Sequence, residues 1–164
     1  MTPEIIVRDE FIVVGIRTVL ETNDSVGALW SEHFLPRRSE IKNVEKAYYA
    51  VFNALSDDSC GRYEYVAGVV TNSLEDIPDG MVGWVIPSGK YAEITASGLQ
   101  SIARICRGVL TDWLPDSGFQ QVAGPYFAYT ENERPDAPDA IWKINVPIET
   151  PEVLAEMKTW LSDN

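Results

Sequence analysis

Two glutamates, Glu64 and Glu93, fall inside stretches whose content predicts β-strands: RYEYVAGVVT, from Arg62, and GMVGWVIPSGKYAEITASG, ending at Gly98. A carboxylate on a strand either faces water or serves a pocket. Period-two alternation groups Glu64 with Val66 and Val70, and Glu93 with Tyr91 and Thr95. Buried, either group needs a bound cation, a hydrogen-bond network or a raised pKa, because an unpartnered charge is costly in an apolar medium. Aromatic residues supply the other half of such a site: with five Trp and seven Tyr the chain can build both a core and a stacking surface. A ring face attracts a cation by about 0.5–2 kcal/mol. Trp84 and Trp142, shortly before two strand-end prolines, and Tyr49, Tyr91 and Tyr126 are the candidate pocket walls. Trp30 and Trp113 lie on helix faces, as core or as cleft wall, and Trp160 reads as core beneath a final helix.

The elements that must position these groups follow from patterning. Ile5–Val7 and Phe11–Val19 are rich in β-branched residues, with Arg8-Asp9-Glu10 between them as a bulge or turn. Thr22 to Ser25 offer N-caps for a helix whose apolar face is Val26, Leu29, Trp30, His33 and Phe34, closed by Pro36. His33 reads as a partly buried packing residue. After a polar loop from Arg37 to Asn43, VEKAYYAVFNAL fits either a strand or a short helix, a strand at the sheet edge being the preferred reading, and SDDSCG reads as a turn. Strands follow at Tyr63–Thr71, Met81–Pro87 and Tyr91–Ala96. Ser97-Gly98-Leu99-Gln100 fits a capping box for a second helix with Leu99, Ile102, Ala103, Cys106, Val109, Leu110 and Trp113 on one face, ended by Pro115. Phe119–Tyr129 and Ile141–Ile148 are the last strands. Thr150 caps a terminal helix with Pro151 at its first position and Val153, Leu154, Met157, Trp160 and Leu161 on one side.

The halves echo one another. At a single offset, Phe34-Leu35-Pro36 falls on Trp113-Leu114-Pro115 and IVVGIRT on YAEITAS; Val66-Ala67-Gly68 recurs as Val122-Ala123-Gly124, and Val85-Ile86-Pro87 as Asn145-Val146-Pro147. The order of elements is strand, helix, strand, strand, twice over. The expected fold is therefore α+β: one domain over residues 1–164 made of two βαββ units, about 3–87 and 88–149, related by a pseudo-twofold axis, with a terminal helix at about 150–162. A shared groove between the units is where a small ligand would sit.

Composition narrows the function. With 25 acidic residues against 13 basic ones and a net charge of −12, the chain lacks the clustered cations that a phosphate backbone requires, so no direct nucleic-acid binding is expected. No apolar run approaches a membrane span and no signal-peptide pattern opens the sequence, which predicts a cytoplasmic protein. Cys60 and Cys106 have neither metal nor disulfide spacing, and lone His33 has no second ligand beside it. Phosphate-binding glycine loops, dinucleotide fingerprints and G-x-S-x-G are absent, so no cofactor is expected.

The segments YEYVAGVV, DIPDGM, WVIPSGKYA, WLPDSGF and NVPIE, in that order, resemble the gyrase-inhibitor-like effector-binding domains, also found fused to DNA-binding regulators of the AraC and MerR types. The likeness spans roughly residues 3–149 and is nearest to the stand-alone integron-associated effector-binding proteins. It implies a central cleft that takes amphipathic, often cationic compounds between aromatic rings and a buried carboxylate. Four positions depart from the family pattern: Lys143 and Gly83 stand four residues before the strand prolines where an acid is usual, Val70 replaces another frequent acid, and Asn145 a frequent aromatic. Lys143 either neutralises a cleft acid internally, the expectation adopted here, or turns the cleft toward anions.

The leading expectation is a stand-alone module that sequesters or senses an amphipathic cation, with Tyr49, Glu64, Trp84, Tyr91, Glu93, Tyr126, Trp142 and Lys143 as ligand-binding residues. Sensing would need a DNA-binding regulator as partner, since no helix-turn-helix fits in the chain; a homodimer is the other association considered. A small hydrolase of the same fold using a cleft carboxylate, and a protein-interaction module acting through its acidic surface, are the competing readings.

Overall fold

The computed structural model describes residues 2–21, 26–42, 45–54 and 62–163. Strands β1 (Glu4–Arg8), β2 (Phe11–Leu20), β3 (Tyr48–Ala54), β4 (Tyr63–Thr71), β5 (Val82–Ile86), β6 (Gly89–Ser97), β7 (Gln120–Gln121), β8 (Tyr126–Thr130) and β9 (Ile141–Glu149) form one antiparallel sheet. Its order is β1-β6-β9-β8-β3-β4-β2-β5, with β7 on β9. Read inward from the two edges, β5-β2-β4-β3 mirrors β1-β6-β9-β8. The first helical segment links β2 to β3 and the second links β6 to β8, which is the expected duplicated strand-helix-strand-strand fold. The constant-offset echo falls on matching elements, β2 with β6 and helix with helix. The other two do not: Val122–Gly124 lies between β7 and β8, and Val85–Pro87 closes an edge strand whereas Asn145–Pro147 lies inside β9. β1, first in sequence order, pairs not with β2's half but with β6.

Strand β3 is central, paired to β4 and β8, not at the edge. Its alternation explains why: Tyr48, Ala50 and Phe52 pack toward one face and Tyr49 and Val51 toward the other, so the strand is covered on both sides. Opposed Gly15 and Gly68 let β2 and β4 approach so closely that a Cβ on Gly15 would meet the Ala67 carbonyl oxygen at 2.0 Å.

Both helices cover the same face. Trp30 and Phe34 from the first, Ile102, Cys106 and Val109 from the second, and Trp142, Ile144 and Val146 from β9 form its buried core. Trp30 meets Phe34 and Trp142 at ring separations of 5.5 and 5.6 Å and donates its indole N–H to the Tyr65 hydroxyl at 3.0 Å. The first helix is π-helical over Leu29–Phe34 and tightens to 3-10 over Leu35–Glu40, so the expected polar loop from Arg37 begins as helix. His33 is exposed. The caps expected at Thr22–Ser25, and Cys60 with its turn, lie outside the described residues.

The second helix begins without its capping box: Gly98 at φ +81° turns the chain, and Ser101, not Ser97, uses its hydroxyl, bonding the Ser97 and Gly98 carbonyls. The strand expected over Phe119–Tyr129 is broken at Ala123-Gly124-Pro125 into β7 and β8. The terminal helix, Pro151–Asp163, has its predicted cap, with the Val153 amide donating to Thr150 Oγ1 at 3.4 Å. Val153 and Leu154 in its first turn are half-buried, whereas Trp160 is 64% exposed and is not core. Among the described residues no helix is long and apolar enough to cross a membrane.

Candidate functional site

The face opposite the helices differs in kind from the helix-covered one. Cross-strand partners project to the same side of a sheet, so the register can be read as rows. One row runs Val66, Val51, Phe127, Asn145, Glu93 across β4, β3, β8, β9 and β6; the next runs Gly68, Tyr49, Tyr129, Lys143, Thr95. Aromatic rings thus converge at the β3–β8 junction. Tyr49 stacks on Tyr129 at 5.5 Å and 23°, while Phe127 takes Phe11 and Tyr91 edge-on, each at 5.1 Å. Trp84, opposite Val13 on β2, packs at the margin of this cluster.

Glu93 stands beside these rings with a side chain only 9% exposed. Its Oε2 forms an ion pair with Arg8 Nη2 and accepts from Asn145 Nδ2 at 3.3 Å and the Tyr129 hydroxyl at 3.5 Å; its Oε1 lies 3.9 Å from Lys143 Nζ. Fully buried Asn145 in turn accepts from Arg8 Nε at 2.9 Å. The Arg8 guanidinium lies 5.4 Å from the centroid of Phe127 and 5.5 Å from that of Tyr129. Burial holds the Tyr49 hydroxyl well above the ordinary tyrosine range, with Glu45 adding to the effect. Burial also raises that of Tyr91, against the opposing pull of Arg8. Both phenols are therefore neutral near pH 7, and Tyr91 donates to the Pro87 carbonyl at 2.6 Å.

Of the residues singled out from sequence, the structure brings together Tyr49, Trp84, Tyr91, Glu93 and Lys143. Glu64 has the predicted facing, but at the far end of β4 it pairs with Arg17 at 2.6 Å and meets none of the cluster. Tyr126 and Trp142 point to the helix side. Tyr126 packs on Phe52 and hydrogen-bonds Gln121; burial, with Cys106 nearby, pushes its hydroxyl up to about 12. Trp142 is core, and its indole N–H has no partner among the described residues. Lys143 reaches Glu93 only at long range; the neutralising cation is chiefly Arg8, which ends β1 rather than lying in the expected bulge or turn. Phe11, Phe127 and Tyr129 were also missed, although the alternation in YFAYT marks Phe127 and Tyr129 as partners on one face.

The rings and Arg8 occupy the middle of this face, where the resemblance implied room for a guest. Open space lies at its margin: Tyr91 also lines a hollow of about 250 Å³ with Gly89, Pro125, Pro147 and Met157. A second hollow, of about 430 Å³, lies away from the rings between Leu110, Leu114, Phe119 and Pro151. Among the described residues no cluster of His, Cys, Asp and Glu could hold a metal ion.

Comparison with known proteins agrees with this architecture. The transcriptional regulator BrlR of Pseudomonas aeruginosa is 32% identical over 133 residues, covering 79% of this chain; the chain spans about half, 48%, of that regulator's length. The integron cassette protein from the mobile metagenome of Vibrio cholerae superposes with a TM-score of 0.65 at 18% identity, covering 90% of this chain and 96% of its own. SAV2435, solved bound to tetraphenylphosphonium, superposes at 0.64 and 15% identity, with 91% and 94% covered. The family model for integron-associated effector binding proteins matches residues 4–148, and the chain belongs to that family.

Proposed function

We propose that this protein binds an amphipathic organic cation on the ring-lined face, with Glu93 as charge partner and Tyr49, Tyr91, Phe127 and Tyr129 as walls. The observation that carries the reading is a nearly buried carboxylate set among ring faces, an environment that favours a flat or aryl-substituted cation over a neutral or anionic guest. SAV2435, of the same fold, bound to tetraphenylphosphonium lends support. Apolar burial at about 25 cal/mol per Å² supplies most of the affinity and the carboxylate selects the sign of the charge. The setting we propose is cytoplasmic, with sequestration or sensing as the role; sensing proceeds through a DNA-binding partner, as the match to part of a transcriptional regulator suggests.

Tetraphenylphosphonium and tetraphenylborate have nearly the same shape and opposite charge, which isolates the carboxylate's part. Titration followed by tryptophan fluorescence, with Trp84 as the reporter nearest the rings, should show saturable one-site binding of the cation, at least about tenfold tighter than the borate. Equal affinities, or a preference for the borate, would remove the cation reading.

A further inference from the structure

Glu93 already has a cation, and it is the chain's own. Arg8 lies against two ring faces, Phe127 and Tyr129, with one carboxylate and one amide oxygen as hydrogen-bond acceptors. This is the set of contacts that a guest cation would use. The two partners are unequally enclosed: the Arg8 side chain is 23% exposed against 9% for Glu93, so the cation is the outer member. Beyond Arg8 the chain runs into exposed Asp9 and Glu10. We infer that Arg8 is a tethered competitor for the cation seat and thereby a specificity-determining residue: a guest gains Glu93 only when the Arg8 side chain swings out. The inference rests on the cation-binding reading above.

Competition of this kind lowers apparent affinity by the fraction of time the seat is empty, so a seat filled nine-tenths of the time weakens binding about tenfold. It also excludes neutral aromatic compounds, which would displace a guanidinium and leave the carboxylate without a countercharge. Lys143, 3.9 Å from Glu93 and 49% exposed, is a second and weaker competitor.

The test compares wild type with Arg8→Ala, Lys143→Gln, Glu93→Gln and the Arg8→Ala/Glu93→Gln double variant. Arg8→Ala should bind tetraphenylphosphonium at least about tenfold tighter than wild type. The gain should vanish in the double variant, and Lys143→Gln should gain less. Ethylguanidinium, a detached copy of the missing group, should raise the melting temperature of Arg8→Ala and leave wild type unchanged. If Arg8→Ala does not fold, Arg8→Met, which keeps the stem packed on the rings, carries the same expectation. Binding that depends on Glu93 but is no tighter in the Arg8 variants overturns the competitor and leaves the cation reading standing. Absence of tetraphenylphosphonium binding in every variant overturns the cation reading and the competitor with it. Tighter binding of tetraphenylborate by wild type than by Arg8→Ala would make Arg8 a contact for anions and overturn the inference.

Discussion

Two arginine–glutamate pairs lie on the same face of one sheet, and their surroundings make them different devices. Arg17 and Glu64 meet at 2.6 Å with side chains 41% and 23% exposed. Arg8 and Glu93 are more enclosed, flanked by Phe127 and Tyr129 and tied to buried Asn145. An exposed pair gains modest Coulomb energy and loses side-chain freedom, so its net worth is about 0–1 kcal/mol. An enclosed pair is also dear to assemble, yet removing one partner strands the other. The lesson is that the same two residue types mark a solvated surface at one end of the sheet and a candidate binding seat at the other. What differs is the neighbours supplied by distant strands.

Three measurements would sharpen or break this contrast. The largest effect belongs to the enclosed pair: Arg8→Ala should lower unfolding free energy in urea by about 2 kcal/mol, since Asn145, Tyr129 and Lys143 remain to moderate the stranded charge. A double-mutant cycle with Glu93→Gln should give a coupling of at least about 1 kcal/mol; a coupling near zero would erase the distinction. Next comes Lys90–Glu149, an intermediate case at 2.8 Å. The Lys90 hydrogen bond, aided by the Thr150 amide, holds the Glu149 carboxyl below its ordinary range. Because the folded value is lower than the unfolded one, this stabilisation is complete above about pH 4.3 and is lost as pH falls through the folded value. Glu149→Gln should therefore be less stable than wild type near neutrality and show a shallower loss toward acid; identical acid-unfolding curves would refute it. The smallest effect is at Arg17–Glu64: Arg17→Ala should cost less than about 1 kcal/mol, and whatever it costs should shrink in high salt. A loss as large as that of Arg8→Ala would mean that exposure does not separate the two pairs.

How much of this was readable beforehand depends on the distance over which the cause acts. Strand alternation is local, and it placed Glu64 with Val66 and Glu93 with Tyr91 on the facings the structure shows. Alternation cannot say which face a helix will cover, however. Tyr126 and Tyr129 sit on opposite sides of β8, and Trp142 and Lys143 on opposite sides of β9, so choosing Tyr126 and Trp142 as pocket walls was a choice of side without a local signal. The duplicated order survived because it rests on several elements at once. The capping box failed because a glycine at positive φ redirected the chain before a serine cap could act. Arg8 was illegible in principle: its partners Glu93 and Asn145 are 85 and 137 positions away, and only the return of β1 to β6 brings them together.

That return has a mechanical side. Glu93 belongs to β6, which is stitched to a neighbour along both borders, β1 and β9. Arg8 ends β1, the outermost ribbon, fastened along one border only. The negative member of the seat is thus bolted into the interior of the fabric while the positive member hangs from its hem, so freeing the hem would undo the β1–β6 seam alone and leave every inner seam intact.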